Sequence, residues 1–201
     1  MTNFWIWFST GMEHILDFSG YDHILFVSLL VLTFPLKDWS KLLWLITAFT
    51  LGHSVSLAIS AGRSDLFLPR AWVEFFIAFS ILITASYNLI LTLKGRAQSA
   101  SQKFVYPVVA AFGLVHGLGF SVLLTSMLGH AESVVLPLLY FNLGLEAGQL
   151  IIVLGVILFS LLLAFLFKWP FHIYKLTLVC IIGLIALKIS AERLWEVLQF
   201  S

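Results

Sequence analysis

The chain has 201 residues, of which 61% are hydrophobic and only 10% charged. That is too little polar surface to cover a soluble globule of this size, so the chain belongs in a bilayer and a separate soluble catalytic domain is excluded. A formal charge of +1, from 11 Lys+Arg against 10 Asp+Glu, gives no electrostatic footprint for nucleic acid. The single cysteine, Cys180, excludes an internal disulfide and CxxC chemistry.

The apolar stretches are continuous and do not alternate in a two-residue period, which predicts membrane helices and disfavours an outer-membrane barrel. The amino terminus lacks a Lys/Arg-rich region and a small-residue cleavage site, so the whole chain is expected to be mature protein. Phe4 to Phe18 carries Glu13, His14 and Asp17 and is too polar to cross. It is expected to form an interfacial or re-entrant helix anchored by Trp5 and Trp7. A template of about 20 apolar residues then fits six times: Gly20–Leu36, Ser40–Ser60, Ala71–Leu93, Val105–Leu128, Pro137–Phe167 and Phe171–Ser190. Ala191–Phe200 mixes Glu192, Arg193 and Glu196 with Leu194, Trp195 and Leu198, which predicts an amphipathic tail at the interface. The expected architecture is all-α: a polytopic bundle of six membrane helices with a short interfacial amino-terminal helix, in one domain over residues 1–201. Lys37, Lys41, Lys94, Arg96, Lys103, Lys168 and Lys175 fall on one side, against Arg63, Arg70 and Arg193 on the other, with Lys188 near a span end. The positive-inside rule therefore puts both termini outside.

Ionisable residues inside spans are expensive, at about 2.5 to 3.5 kcal/mol for an Asp at a helix centre, so they carry the information. His14, Asp17, Asp22 and His23 stand at the outer mouth of span one, and imidazole with carboxylate is the donor set for borderline divalent metals. Asp22 and His23 point about 100° apart on a helix, so one is expected to ligate while the other orients a second group. His53 lies in span two beside Thr47, Thr50 and Ser54. Glu74 opens span three, followed by a polar stripe of Ser80, Thr84 and Asn88. In span four Gly113, Gly117 and Gly119 surround His116, which permits either close helix approach or a local break lining a cavity. Asn142, Glu146 and Gln149 share one face of span five. A rise of about 1.5 Å per residue brings these groups, from five spans, to the midplane and the outer half of the bilayer. One echo is visible, since Phe49 to His53 and Phe112 to His116 both read F-x-L-x-H.

Plainer readings stand beside these. A lone membrane histidine is as often a satisfied packing residue, and either Glu74 or Glu146 could simply neutralise Lys188. The glycines around His116 are more often helix packing than a break. His130 and His172 are expected in or beside loops, and the many Phe and Trp residues are expected to serve lipid contact and anchoring.

The stretches His14…Gly20-Tyr-Asp22-His23-Ile-Leu-Phe, Phe49-Thr-Leu-Gly-His53-Ser, Val73-Glu74, Phe112-Gly-Leu-Val-His116-Gly-Leu-Gly-Phe and Phe141-Asn142-Leu-Gly-Leu-Glu146-Ala-Gly-Gln149 together resemble the HupE/UreJ family of membrane proteins, associated with nickel acquisition for hydrogenase and urease. The resemblance runs from Gly11 to about Ser190. It implies a metal permease and suggests Asp22, His23, His53, His116 and Glu146 as metal positions. His14, Asp17, Glu74, Asn142, Gln149, Gly113, Gly117 and Gly119 would support them. The expected function is a secondary permease or channel-like carrier of the cytoplasmic membrane that moves a divalent transition metal inward, nickel first and cobalt next. Two alternatives use the same residues. One is an intramembrane zinc hydrolase acting on a lipid, with His23, His53 and His116 as ligands and Asp22 or Glu146 as base. The other is a non-transporting metallo-assembly or sensor subunit. The expected partners are the lipid bilayer and the metal ion.

Overall fold

The computed structural model describes residues 4–34, 38–62, 68–94, 102–128, 133–168 and 170–200. Within them the fold is all-helical: α1 (Phe4–Leu16), α2 (Asp22–Thr33), α3 (Trp39–Gly62), α4 (Arg70–Leu93), α5 (Gln102–Leu128), α6 (Val135–Phe167) and α7 (Phe171–Phe200). Five of these, α3 to α7, are long and apolar enough to cross a membrane.

Small residues decide which helices meet. Gly52 of α3 lies on the Ala110 carbonyl of α5, and Gly113 of α5 lies on the Phe49 carbonyl of α3. The same reciprocal contact joins α1 to α6, where Gly11 lies on the Phe141 carbonyl and Gly144 on the Phe8 carbonyl. At all four glycines an added Cβ would occupy the partner's backbone oxygen. Both crossings are parallel and use one pattern, a carbonyl followed three residues later by glycine, which allows backbone contact of the Cα–H···O kind. The equivalence pairs Phe49 with Ala110 and Gly52 with Gly113. It is two residues out of step with the F-x-L-x-H echo, which therefore does not mark the structural repeat. A third pair, α4 and α7, runs antiparallel, with Gly183 beside Ala85 and Arg193 beside Glu74.

Three sequence expectations change. The first span is expected over Gly20–Leu36, but α2 holds only 12 residues, about 18 Å at 1.5 Å per residue. It is delayed by a turn in which the Asp17 carboxylate accepts the Ser19 N–H at 2.8 Å. It stops where Phe34 turns extended (φ −112°, ψ 146°), the conformation favoured ahead of a proline such as Pro35. Secondly, α1 lies lengthwise against α6, with Gly11 and Ile15 buried. Thirdly, the expected interfacial tail is not separate, because α7 continues unbroken through Ala191 to Phe200. α6, at 33 residues, is about 50 Å long and exceeds a hydrocarbon core of about 30 Å. It ends at Lys168, in the left-handed region at φ 52°, just before Pro170.

Candidate metal centre

The glycine crossings bring four histidines together. Gly11 lets α1 approach α6, and His14 follows one turn later. Its ring centroid lies 4.7 Å from His23 of α2 and 5.6 Å from His53 of α3. Gly113 and Gly117, the latter against Ser56 and the His53 backbone, draw α5 onto α3. That sets the His116 ring 5.2 Å from His23. α5 is continuous through Gly113, Gly117 and Gly119, so these glycines serve packing and not a break; Gly119 faces Ile77 and Val73 of α4.

His23, His53 and His116 are buried, and His14 is half-buried. Phe26 and Phe49 pack on His116 at 5.2 and 5.1 Å, Phe120 on His14 at 4.0 Å, and Phe141 between His14 and His53 at 5.9 and 6.2 Å. These phenylalanines wall the site, a role the sequence reading did not give them. Of these only Phe49 carried a partial signal, standing four residues before His53, one turn away on the same face.

The hydrogen bonding of the rings is incomplete in a consistent way. His116 Nδ1 is 2.8 Å from the Phe112 carbonyl. A carbonyl only accepts, so the proton sits on Nδ1 and Nε2 carries the lone pair. His23 Nδ1 lies 3.5 Å from the Asp22 carboxylate, which favours the same tautomer. The remaining nitrogens, Nε2 of His14, His23 and His116 and both ring nitrogens of His53, are buried with no hydrogen-bond partner among the described residues. Each such group costs about 1 to 3 kcal/mol. One of the two His53 nitrogens carries the ring proton, so the cluster offers one lone pair from each of four rings, which fits a ligand that accepts lone pairs, as a transition metal does. One ligand atom from each of His14, His23 and His53 lies within 4.8 Å of the others. Metal–imidazole bonds of about 2.0 to 2.1 Å would draw these atoms closer, with Asp22 behind His23 in the manner of a carboxylate–histidine–metal triad.

The other sequence candidates lie outside that triplet. Glu146 is half-buried on α6 and is not one of the converging ligands. Gln149 accepts the Thr50 hydroxyl at 2.9 Å, joining α6 to α3 one turn below His53. The Asn142 side-chain oxygen is buried without a hydrogen-bond partner among the described residues, and Asp17 holds the turn before α2. Glu74 does not meet Lys188, which contacts Glu192 at 3.7 Å. It pairs instead with Arg70 at 2.6 Å and with Arg193 at 3.0 Å. The Arg193 pairing leaves no signal in the sequence, because the partners are far apart in the chain. His172 is exposed, and His130 lies outside the described residues.

No curated protein and no solved structure matches this chain. The profile described as HupE / UreJ protein matches residues 1–196, essentially the whole chain. The protein is therefore a multi-pass membrane protein that belongs to the HupE/UreJ family.

Proposed function

We propose that this protein is a permease that carries a divalent transition metal, nickel or cobalt, inward across the cytoplasmic membrane. The observation that carries this reading is the convergence of four imidazoles, three buried and one half-buried, with free nitrogens that have no partner among the described residues. Nitrogen donors of this softness suit Ni²⁺, Co²⁺ and Zn²⁺ better than Mg²⁺ or Ca²⁺. The family points the same way, towards nickel or cobalt.

The ion is the substrate, and the chain's residues act on it in order. Asp22, at the start of α2, meets the hydrated ion and compensates part of its charge. The imidazoles of His23, His14 and His53 replace water molecules, and His116, held in its donor tautomer by Phe112, presents a further lone pair deeper in the bundle. The phenylalanine walls exclude bulk water, so the ion sheds its shell only where nitrogen replaces it. With the acidic ends of the bundle outside and the lysines inside, the membrane potential drives the ion inward. The gain is about 4.6 kcal/mol for a double charge across 100 mV, so no second ion is required.

Uptake of Ni²⁺ into proteoliposomes bearing an inside-negative potential is the direct test. The reading predicts saturable uptake that His23→Ala and His53→Ala each abolish. Unchanged uptake in both variants contradicts the pathway. Cleavage of a lipid amide or ester by zinc-loaded protein, with no accumulation of metal, would favour the hydrolase instead.

A further inference from the structure

The site must be reached from outside, and the surroundings of Asp22 show how. Asp22 lines a cavity of ≈ 250 Å³ that also has Arg70, Glu74 and Arg193 on its walls. Two further cavities, of ≈ 310 and ≈ 470 Å³, share Arg70 and Glu74 with it. Glu74 thus stands where three surface cavities meet, on the way to Asp22. Its carboxylate takes Arg70 Nε on one oxygen and Arg193 Nη1 on the other, and Arg193 also reaches Glu196 at 2.8 Å. Arg70 is almost fully exposed, whereas Arg193 is half-buried. Since Glu74 begins α4 and Arg193 lies near the end of α7, their pair spans the opening between two helices.

A dication moving from bulk water to Asp22 passes both groups. It is attracted by one and repelled by the other, in a cavity whose apolar walls strengthen both effects. A free Glu74 would capture the ion at the mouth, and a free Arg193 would turn it away. Resting on the reading of the histidine cluster as a cation site, we infer that the Glu74–Arg193 pair is a charge gate that sets the rate of cation admission, with Glu74 as attractor and Arg193 as brake.

The two partners then act in opposite directions, which a pair that only fastens α4 to α7 cannot do. The experiment is stopped-flow binding of Co²⁺ to the purified full-length protein in detergent, read by the visible absorption of cobalt–imidazole ligation. At low salt the association rate constant is expected to fall about tenfold in Glu74→Gln and to rise about tenfold in Arg193→Gln, within the range of electrostatic steering. The double variant should return close to the unmodified rate, and Arg193→Lys, which keeps the charge, should stay near it. The differences should shrink in about 1 M salt, where charges are screened within about 3 Å. The equilibrium cobalt spectrum should stay the same throughout, showing that the site is intact. Single-variant rates that shift in the same direction, or not at all, overturn the gate while leaving the metal site standing. Absence of the cobalt spectrum in the unmodified protein overturns the metal site and the gate together.

Discussion

The histidine cluster and the Glu74 mouth are built at the same end of the bundle but satisfy their polar groups in opposite ways. At the mouth, Arg70, Glu74, Arg193 and Glu196 meet one another in a chain of ion pairs. In the cluster, four rings sit against phenylalanine with free nitrogens that no described residue meets. A group with an internal partner is already paid for in the resting protein, whereas a buried lone pair without one is available to a ligand. In the proposed reading this difference gives binding to the cluster and control of access to the mouth.

The largest expected effect breaks the cluster by moving its helices. Gly113→Val would drive a side chain into the Phe49 carbonyl, and α3 cannot shift without carrying His53. Loss of the folded protein or a fall in melting temperature of ten degrees or more is expected, in line with about 3 kcal/mol or more from overpacking. A variant that melts like the unmodified protein would show that the crossing is looser than described. Next comes His53→Ala, which removes a ligand but keeps the helices. Calorimetric titration should show Ni²⁺ affinity reduced at least a hundredfold with melting in the apo form little changed. Asp22→Asn keeps the shape and removes the charge behind His23. Because Asp22 orients the His23 ring, a loss of about 10- to 100-fold in affinity is expected, and an unchanged titration would remove Asp22 from the site. A smaller effect follows acidification. A protonated imidazole has no lone pair, so metal affinity should fall as pH is lowered and recover as it is raised; a titration flat across the acidic range would argue against nitrogen ligation. The smallest belongs to Glu146→Gln, for which the half-buried carboxylate outside the triplet predicts affinity within about threefold of the original.

The sequence made much of this readable, for identifiable reasons. Long apolar runs revealed α3 to α7, because a bilayer demands unbroken hydrophobic length. The cost of ionisable groups in hydrocarbon singled out His23, His53 and His116. What it did not reveal depends on distance through space. His14 reads as interfacial because its helix is polar, and only the Gly11–Phe141 contact carries it into the cluster. The phenylalanine walls look like ordinary lipid-facing residues among 19 of their kind. Arg193 looks like part of a tail, and only the continuation of α7 past Ala191 brings it to Glu74. The extent of α2 depended on local chemistry, the Asp17 turn and the extended Phe34, which hydrophobicity does not register.

The most direct test of the central claim is X-ray absorption at the nickel edge on protein loaded with one equivalent of Ni²⁺. Ligation by the cluster predicts a first shell dominated by nitrogen, with the outer-shell scattering of three or four imidazoles, and loss of that scattering in His53→Ala. A shell of oxygen alone, or metal that does not bind stoichiometrically, would contradict it.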